Sequence, residues 1–303
     1  MTPQQAILAI LIPGVVSATA LVALSFLPGR DRPAEDGEGA SRDRIFVRPW
    51  PAIVAVAAFF FADLGLNQWH DLWPKDATQR FLAVGVAAAL IGALHSLAGR
   101  VTLTVMLRVV LGAGLALGVL VPLPEMYMPR GLLIVLTGAS GLWLGATGAV
   151  LDGAGSRLPR AAVPLVLAAT AIIAAPGIFK SGYAGGAQLA VGLGALAGGA
   201  FVAAVLRRRT LPGLSGLHTV WLAVFATILL VTYGYQEVPA WWALPIMAVA
   251  PLGVVAGLFG KHRLLRVVLA GLVSAVIVVG ATLAVVASAS NNAAPEEESY
   301  YGY

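Results

Sequence analysis

Long, uninterrupted apolar segments are the feature of this chain that most restricts what it can fold into. Ten stretches of 17 to 24 residues carry almost no charge, and each is close to the length that a helix needs to cross a bilayer. Only 11% of the 303 residues are charged, whereas a soluble domain carries about 25%. The composition excludes a soluble globular protein and predicts an all-α, polytopic transmembrane helix bundle. The predicted spans are 6–27, 50–66, 81–98, 101–121, 132–151, 161–179, 187–206, 214–233, 241–259 and 264–287.

The basic residues test the number of spans independently, because the cytoplasmic loops of membrane proteins collect lysine and arginine. When alternate loops are assigned to one face, that face holds 15 of the 19 lysine and arginine residues. We therefore predict a multi-pass protein of the inner (cytoplasmic) cell membrane, with both termini on the non-cytoplasmic side. The loops account for the net charge of +5, so we predict membrane lipids and not nucleic acid as partners.

The predicted domain organisation is simple. Residues 1–287 form one transmembrane domain, which includes a mobile, charged cytoplasmic loop at 28–49, and residues 288–303 form a disordered acidic tail that contains tyrosines. Ten spans divide into two groups of five with opposite orientation, as in inverted-repeat transporters. Few landmarks match between the two halves, so a true internal repeat remains an open alternative.

Ionisable residues inside a membrane are costly and therefore mark candidate functional sites. Arg108 is the eighth residue of its span, roughly 10 Å from the cytoplasmic end. It either snorkels to the headgroups or faces the interior. His95 and His218 lie in the same half of the bundle, and Asp63 lies near the outer end of the second span. We predict that these four residues line a substrate or ion pathway; the alternative for the histidines is plain solvation.

The longest predicted outward loop is a second candidate site. It contains Trp69, His70, Asp71 and Trp73. Its tryptophans would hold a lipid-linked or amphipathic substrate while the imidazole and carboxylate supply acid or base. The alternative is an aromatic belt at the level of the headgroups.

Glycine faces allow two helix backbones to approach closely in lipid. The fourth, fifth and seventh spans carry such faces, and we expect these helices to form the centre of the bundle. The same faces would contact protein partners or a second copy of the chain. The predicted packing residues are Gly114, Gly118, Gly138, Gly141, Gly145, Gly148, Gly194 and Gly198.

Within the fifth span, the run from Thr137 to Gly141 resembles the serine motif of the rhomboid intramembrane proteases. The resemblance implies that Ser140 would be a nucleophile with a histidine base on a neighbouring helix. His218 lacks the following glycines of that family, and Ser140 lies mid-span whereas both membrane histidines lie near the cytoplasmic helix ends. We therefore do not predict a protease.

Three absences narrow the chemistry. The chain has no cysteine, which excludes disulfides and thiolate sites. It offers no three-histidine metal cluster and no GxxxxGK nucleotide loop, so we predict neither a metal nor a cofactor and exclude direct ATP hydrolysis. The preferred function is a secondary transporter or permease of unknown substrate. The alternatives are a non-catalytic membrane subunit or scaffold, and a membrane enzyme that acts on a lipid-linked substrate at the outer face.

Overall fold

The computed structural model describes residues 11–24, 49–67, 80–98, 101–206, 214–236, 238 and 240–291. Among these residues helices are the only regular secondary structure, which confirms the predicted all-α fold. The helices are α1 (Ile12–Leu24), α2 (Trp50–Asn67), α3 (Phe81–Ala98), α4 (Val101–Leu120), α5 (Arg130–Arg157), α6 (Ala162–Lys180), α7 (Ala184–Leu206), α8 (Leu214–Tyr235), α9 (Ala243–Val249) and α10 (Arg263–Asn291), with a 3₁₀ segment at Ala250–Phe259.

Six of these helices, α4 to α8 and α10, are long and apolar enough to cross a membrane among the residues that the structure describes. The shorter apolar helices α1, α2 and α3, and α9 with its 3₁₀ continuation, lie within the remaining predicted segments. The total of ten spans and the inverted halves stay predictions.

Two helices extend beyond their predicted ends by about a turn or more. Helix α5 continues past residue 151 to Arg157, and α10 continues past residue 287 to Asn291. In α10 the hydroxyls of Ser288 and Ser290 donate to the carbonyls of Val285 and Ala287, so polar residues complete the last turn. The extension of α5 matters for function because it brings Asp152 inside a helix.

The most deeply buried helix is α8, whereas we expected α4, α5 and α7 to form the centre of the bundle. In α8, 89% of an apolar stretch of 18 residues is buried, compared with 28% of the corresponding stretch in α5. A glycine face needs burial on one side of a helix only, so the opposite side of α5 stays exposed. Helix α8 is buried all round and carries bulky side chains, including Trp221 stacked on Phe225 with 4.7 Å between ring centroids.

Helices α4, α5 and α8 share one end of the bundle. Helix α4 and helix α8 begin at this end, and α5 finishes there beside Arg157, Arg160, Arg263 and Arg266. We call it the arginine-rich end. The first turns of α2 and α8 also meet here, because a Cβ atom on Gly216 would lie 2.8 Å from the Cβ of Ala52.

Candidate functional site

A row of glycines along α5 makes room for a charged side chain from α4. Gly141, Gly145 and Gly148 share one face of α5, and all three lie against α4. A Cβ atom on Gly148 would lie 2.5 Å from Nη1 of Arg108. Only glycine leaves the volume that this guanidinium occupies. Asp152 follows Gly148 by four residues, so it lies on the same face one turn nearer the arginine-rich end.

Arg108 is completely buried and binds groups from two neighbouring helices. Its Nη1 donates to Oδ2 of Asp152 at 2.7 Å. Its Nε donates to the Thr219 hydroxyl at 2.9 Å, and its Nη2 donates to the backbone carbonyl of Ser215 at 3.0 Å. The Thr219 hydroxyl in turn donates to the same carbonyl. Arg108 therefore does not snorkel to the headgroups; it faces the interior, the alternative that places it in a site.

His218 completes this group through the second carboxylate oxygen. Its Nδ1 lies 3.0 Å from Oδ1 of Asp152, so one carboxylate joins the arginine and the histidine. The His218 side chain is 3% exposed and Asp152 is 25% exposed. The buried Nε2 of His218 has no hydrogen-bond partner among the residues that the structure describes. We refer to Arg108, Asp152, Ser215, His218 and Thr219 as the Arg108 cluster.

The charge of the cluster depends on a single proton. With neutral histidine, the arginine and the carboxylate balance, and the cluster has no net charge. A proton added to either His218 or Asp152 leaves one unbalanced positive charge in a buried position, which an anion would stabilise. Asp152 is 25% exposed, whereas Arg108 and His218 are 0% and 3% exposed, and Asp152 makes a further interaction besides those with these two residues.

The structure unites two of the four predicted pathway residues. Arg108 and His218 meet through Asp152, whereas Asp63 is buried elsewhere, 11 residues along α2 from Ala52 and thus roughly 16 Å from the arginine-rich end. Asp63 has a polar interaction of its own. His95 follows Gly92, which lies against Gly216 at that end, but its side chain falls outside the described residues.

The other predicted residues fall into two groups. Trp69, His70, Asp71 and Trp73 of the outer loop lie outside the described residues. Among the predicted packing glycines, Gly194 lies against Ile172 of α6. A Cβ atom on Gly114, Gly118, Gly138 or Gly198 would meet no described atom within 4 Å.

Sequence analysis missed Asp152, the residue that organises the site. The predicted fifth span ends at residue 151, which places this carboxylate in a loop. A usable signal exists: the glycine face of α5 repeats at positions 141, 145 and 148, and its next member is Asp152. Gly112 was also missed; a Cβ atom there would lie 2.9 Å from Cα of Gly141.

The geometry also argues against the serine protease that the motif around Ser140 resembles. Asp152 is 12 residues from Ser140 on the same helix, a separation of roughly 18 Å. Because His218 contacts Asp152, its imidazole lies far outside hydrogen-bond reach of the Ser140 hydroxyl.

Comparisons with known protein families, with curated protein sequences and with solved structures find no match for this chain. The function is therefore argued from the residues and their arrangement.

Proposed function

We propose that this chain is a secondary transporter or permease in which the Arg108 cluster binds a proton and a small anion. The observation that supports this most directly is a fully buried arginine beside a carboxylate that keeps 25% of its side chain exposed. Ionisable residues inside membrane helices are expensive and commonly belong to transport pathways or proton relays. The site thus joins a permanent charge to a group that can exchange protons.

The charges suggest how proton and anion binding would be coupled. Protonation of the cluster creates a positive charge that attracts an anion, and loss of the anion makes that charge costly again in a low-dielectric site. Each species therefore binds better when the other is present, which is the thermodynamic requirement for symport.

Helices α5 and α8, which both contribute to the Arg108 cluster, also border a cavity at the opposite end of the bundle. A cavity of about 460 Å³ lies between α5, α8 and α9, with Leu136, Trp143, Leu230, Tyr233 and Leu244 in its walls. The Arg108 cluster lies between α5 and α8 at the arginine-rich end and this cavity lies between them at the opposite end. That arrangement suits a seam that opens alternately toward the two sides of the membrane.

The test uses purified protein in liposomes that contain the pH-sensitive dye pyranine. Inward gradients of chloride, inorganic phosphate and lactate are imposed in turn, and we expect at least one of them to acidify the lumen. Arg108→Met should abolish the signal. Asp152→Asn should remove proton coupling while leaving exchange of the same labelled anion measurable.

Arg130→Gln is the matched control, because it removes an arginine from an exposed ion pair with Glu125. Its acidification should equal that of the wild type. No response to any of the three anions, or a full response from Arg108→Met, would reject the proposed function.

A non-catalytic membrane subunit is the second candidate, and one observation favours it. In α5 and in α10 alike, only 28% of an apolar stretch of 18 residues is buried. Each helix therefore presents a long apolar face to lipid or to partner helices. A subunit of this kind would tolerate Asp152→Asn without functional change, but would lose a co-purifying protein when Ile134 on the exposed face of α5 is replaced by aspartate.

A further inference from the structure

A group of four arginines, separate from the Arg108 cluster, surrounds a cavity at the arginine-rich end. The cavity has a volume of about 620 Å³. Arg157 comes from the end of α5, Arg160 from the connection to α6, and Arg263 and Arg266 from the first turn of α10. Ala204 of α7 closes another side. Three separate parts of the chain thus bring four positive charges to one space, which we call the arginine cavity.

The chemistry of the arginine cavity favours an anion with several oxygens. No carboxylate lines it among the described residues. Arg266 is held in place because its Nε donates to the Gly260 carbonyl at 2.9 Å and its Nη1 lies 3.4 Å from the Arg157 carbonyl. Arg157 and Arg263 are exposed, and neither forms an ion pair with another described residue. Guanidinium groups bind phosphate oxygens in pairs, so converging arginines match a phosphate group.

The surroundings indicate where that phosphate comes from. The arginine cavity lies where α5 ends and where α6 and α10 begin, three helices that are long and apolar enough to cross a membrane, so we expect it at the level of the lipid headgroups. Next to it, α10 exposes Leu264, Val268 and Leu272, which recur every four residues along one face. Leu264 is 77% exposed and directly follows Arg263. We infer that the arginine cavity binds the phosphate of an anionic phospholipid whose acyl chain lies along this face of α10.

The experiment titrates the full chain, purified in a nonionic detergent, with phosphatidylglycerol. Phosphatidylcholine with the same acyl chains and inorganic phosphate are titrated in parallel. Binding is followed by the thermal unfolding midpoint and by lipid adducts in native mass spectrometry. Phosphatidylglycerol should give a saturable increase in the midpoint with one retained lipid, and the other two probes should not.

The variants separate this cavity from general attraction to a basic surface. In Arg157→Gln with Arg263→Gln, the affinity for phosphatidylglycerol should fall roughly thirtyfold, since each basic residue near an anionic surface contributes about fivefold. Lys261→Gln with Arg130→Gln removes the same charge outside the cavity and should change the affinity by less than about twofold. All four side chains are exposed, so both double variants should fold.

Three results would overturn the inference. An equal loss of affinity in the two double variants would show attraction to surface charge alone. Equal stabilisation by inorganic phosphate, lost in the Arg157 and Arg263 variant, would identify a soluble phosphate and not a lipid as the ligand. An absence of saturable phosphatidylglycerol binding would exclude both. Anion uptake by liposomes tests the Arg108 cluster separately, so failure of one proposal leaves the other intact.

Discussion

Replacement of Asp152 by asparagine is the sharpest test of how the Arg108 cluster is built. The substitution preserves the shape of the side chain and removes the charge that compensates a fully buried guanidinium at 2.7 Å. Breaking a buried ion pair from one side generally costs about 3 to 5 kcal/mol. Two features reduce the cost here: the asparagine oxygen still accepts a hydrogen bond, and Asp152 is 25% exposed. We expect a loss of about 2 to 3 kcal/mol in unfolding free energy.

The assay is equilibrium unfolding in mixed micelles of dodecyl maltoside and dodecyl sulfate, followed by tryptophan fluorescence. Trp221 is fully buried on α8, three residues from His218, so its environment changes when this region opens. A second variant sharpens the test. Adding Arg108→Met to Asp152→Asn removes the uncompensated charge, so the double variant should be more stable than Asp152→Asn alone.

Glu125→Gln provides the control. It breaks an ion pair of similar length, 2.6 Å, whose side chains are 85% and 71% exposed, and should have no measurable effect. The reasoning would be refuted if Asp152→Asn were as stable as the wild type. It would also be refuted if the effects of the two substitutions in the cluster simply added.

Two further predictions use the same unfolding assay, and a third uses amide hydrogen exchange. Gly148→Ala should cost about 1 to 3 kcal/mol by pushing against the buried guanidinium, whereas Gly138→Ala on the same helix, with no described atom within 4 Å of its Cβ position, should be neutral; equal effects would contradict the role of the glycine face. Thr219→Val keeps the side-chain shape but leaves the arginine Nε without an acceptor, so a loss of about 1 to 3 kcal/mol is expected, and a neutral result would mean that this hydrogen bond is dispensable. Gly199→Leu should detach α1 from α7, because a Cβ atom there would contact the backbone of α1, whereas Gly198→Leu should not; faster amide hydrogen exchange in α1 in the first variant alone is the expected observation.

The fold was predictable from sequence because apolar length and charge placement are local properties. Every described helix lies in or overlaps one of the predicted segments, including the short α1 and α3. Helix ends were less predictable. The sequence from residue 151 to Arg157 contains glycine, serine and aspartate, which are weak helix formers, yet it remains helical. Leu151 and Ala154 are buried there, and a Cβ atom on Gly155 would lie within 4.0 Å of Val163 and His218, so this part of α5 packs against α6 and α8.

Part of the candidate site was predictable from local properties of the sequence as well. Arg108 and His218 could be singled out because ionisable residues in apolar segments are conspicuous. Their shared contact with Asp152 could not be predicted, because hydropathy does not show which helix faces are adjacent. The 3₁₀ segment could not be predicted either, because its residues form one continuous apolar stretch with those of α9. In the structure, Gly253 and Gly257 of this segment lie tightly against Ser274 and Arg266 of α10.

The arrangement of contacts also restricts how a transporter of this design would move. Close glycine packing joins α4 to α5, and the ion pair between Arg108 and Asp152 lies within that joined pair. Helix α8 is attached to the pair through the bonds of Arg108 to Thr219 and Ser215 and the contact of His218 with Asp152. A movement of α4 and α5 together against α8 would break those three contacts but leave the arginine charge compensated. A movement that separated α4 from α5 would expose an uncompensated charge and cost several kcal/mol more, so in a transporter of this design the low-energy seam for alternating access would lie along α8.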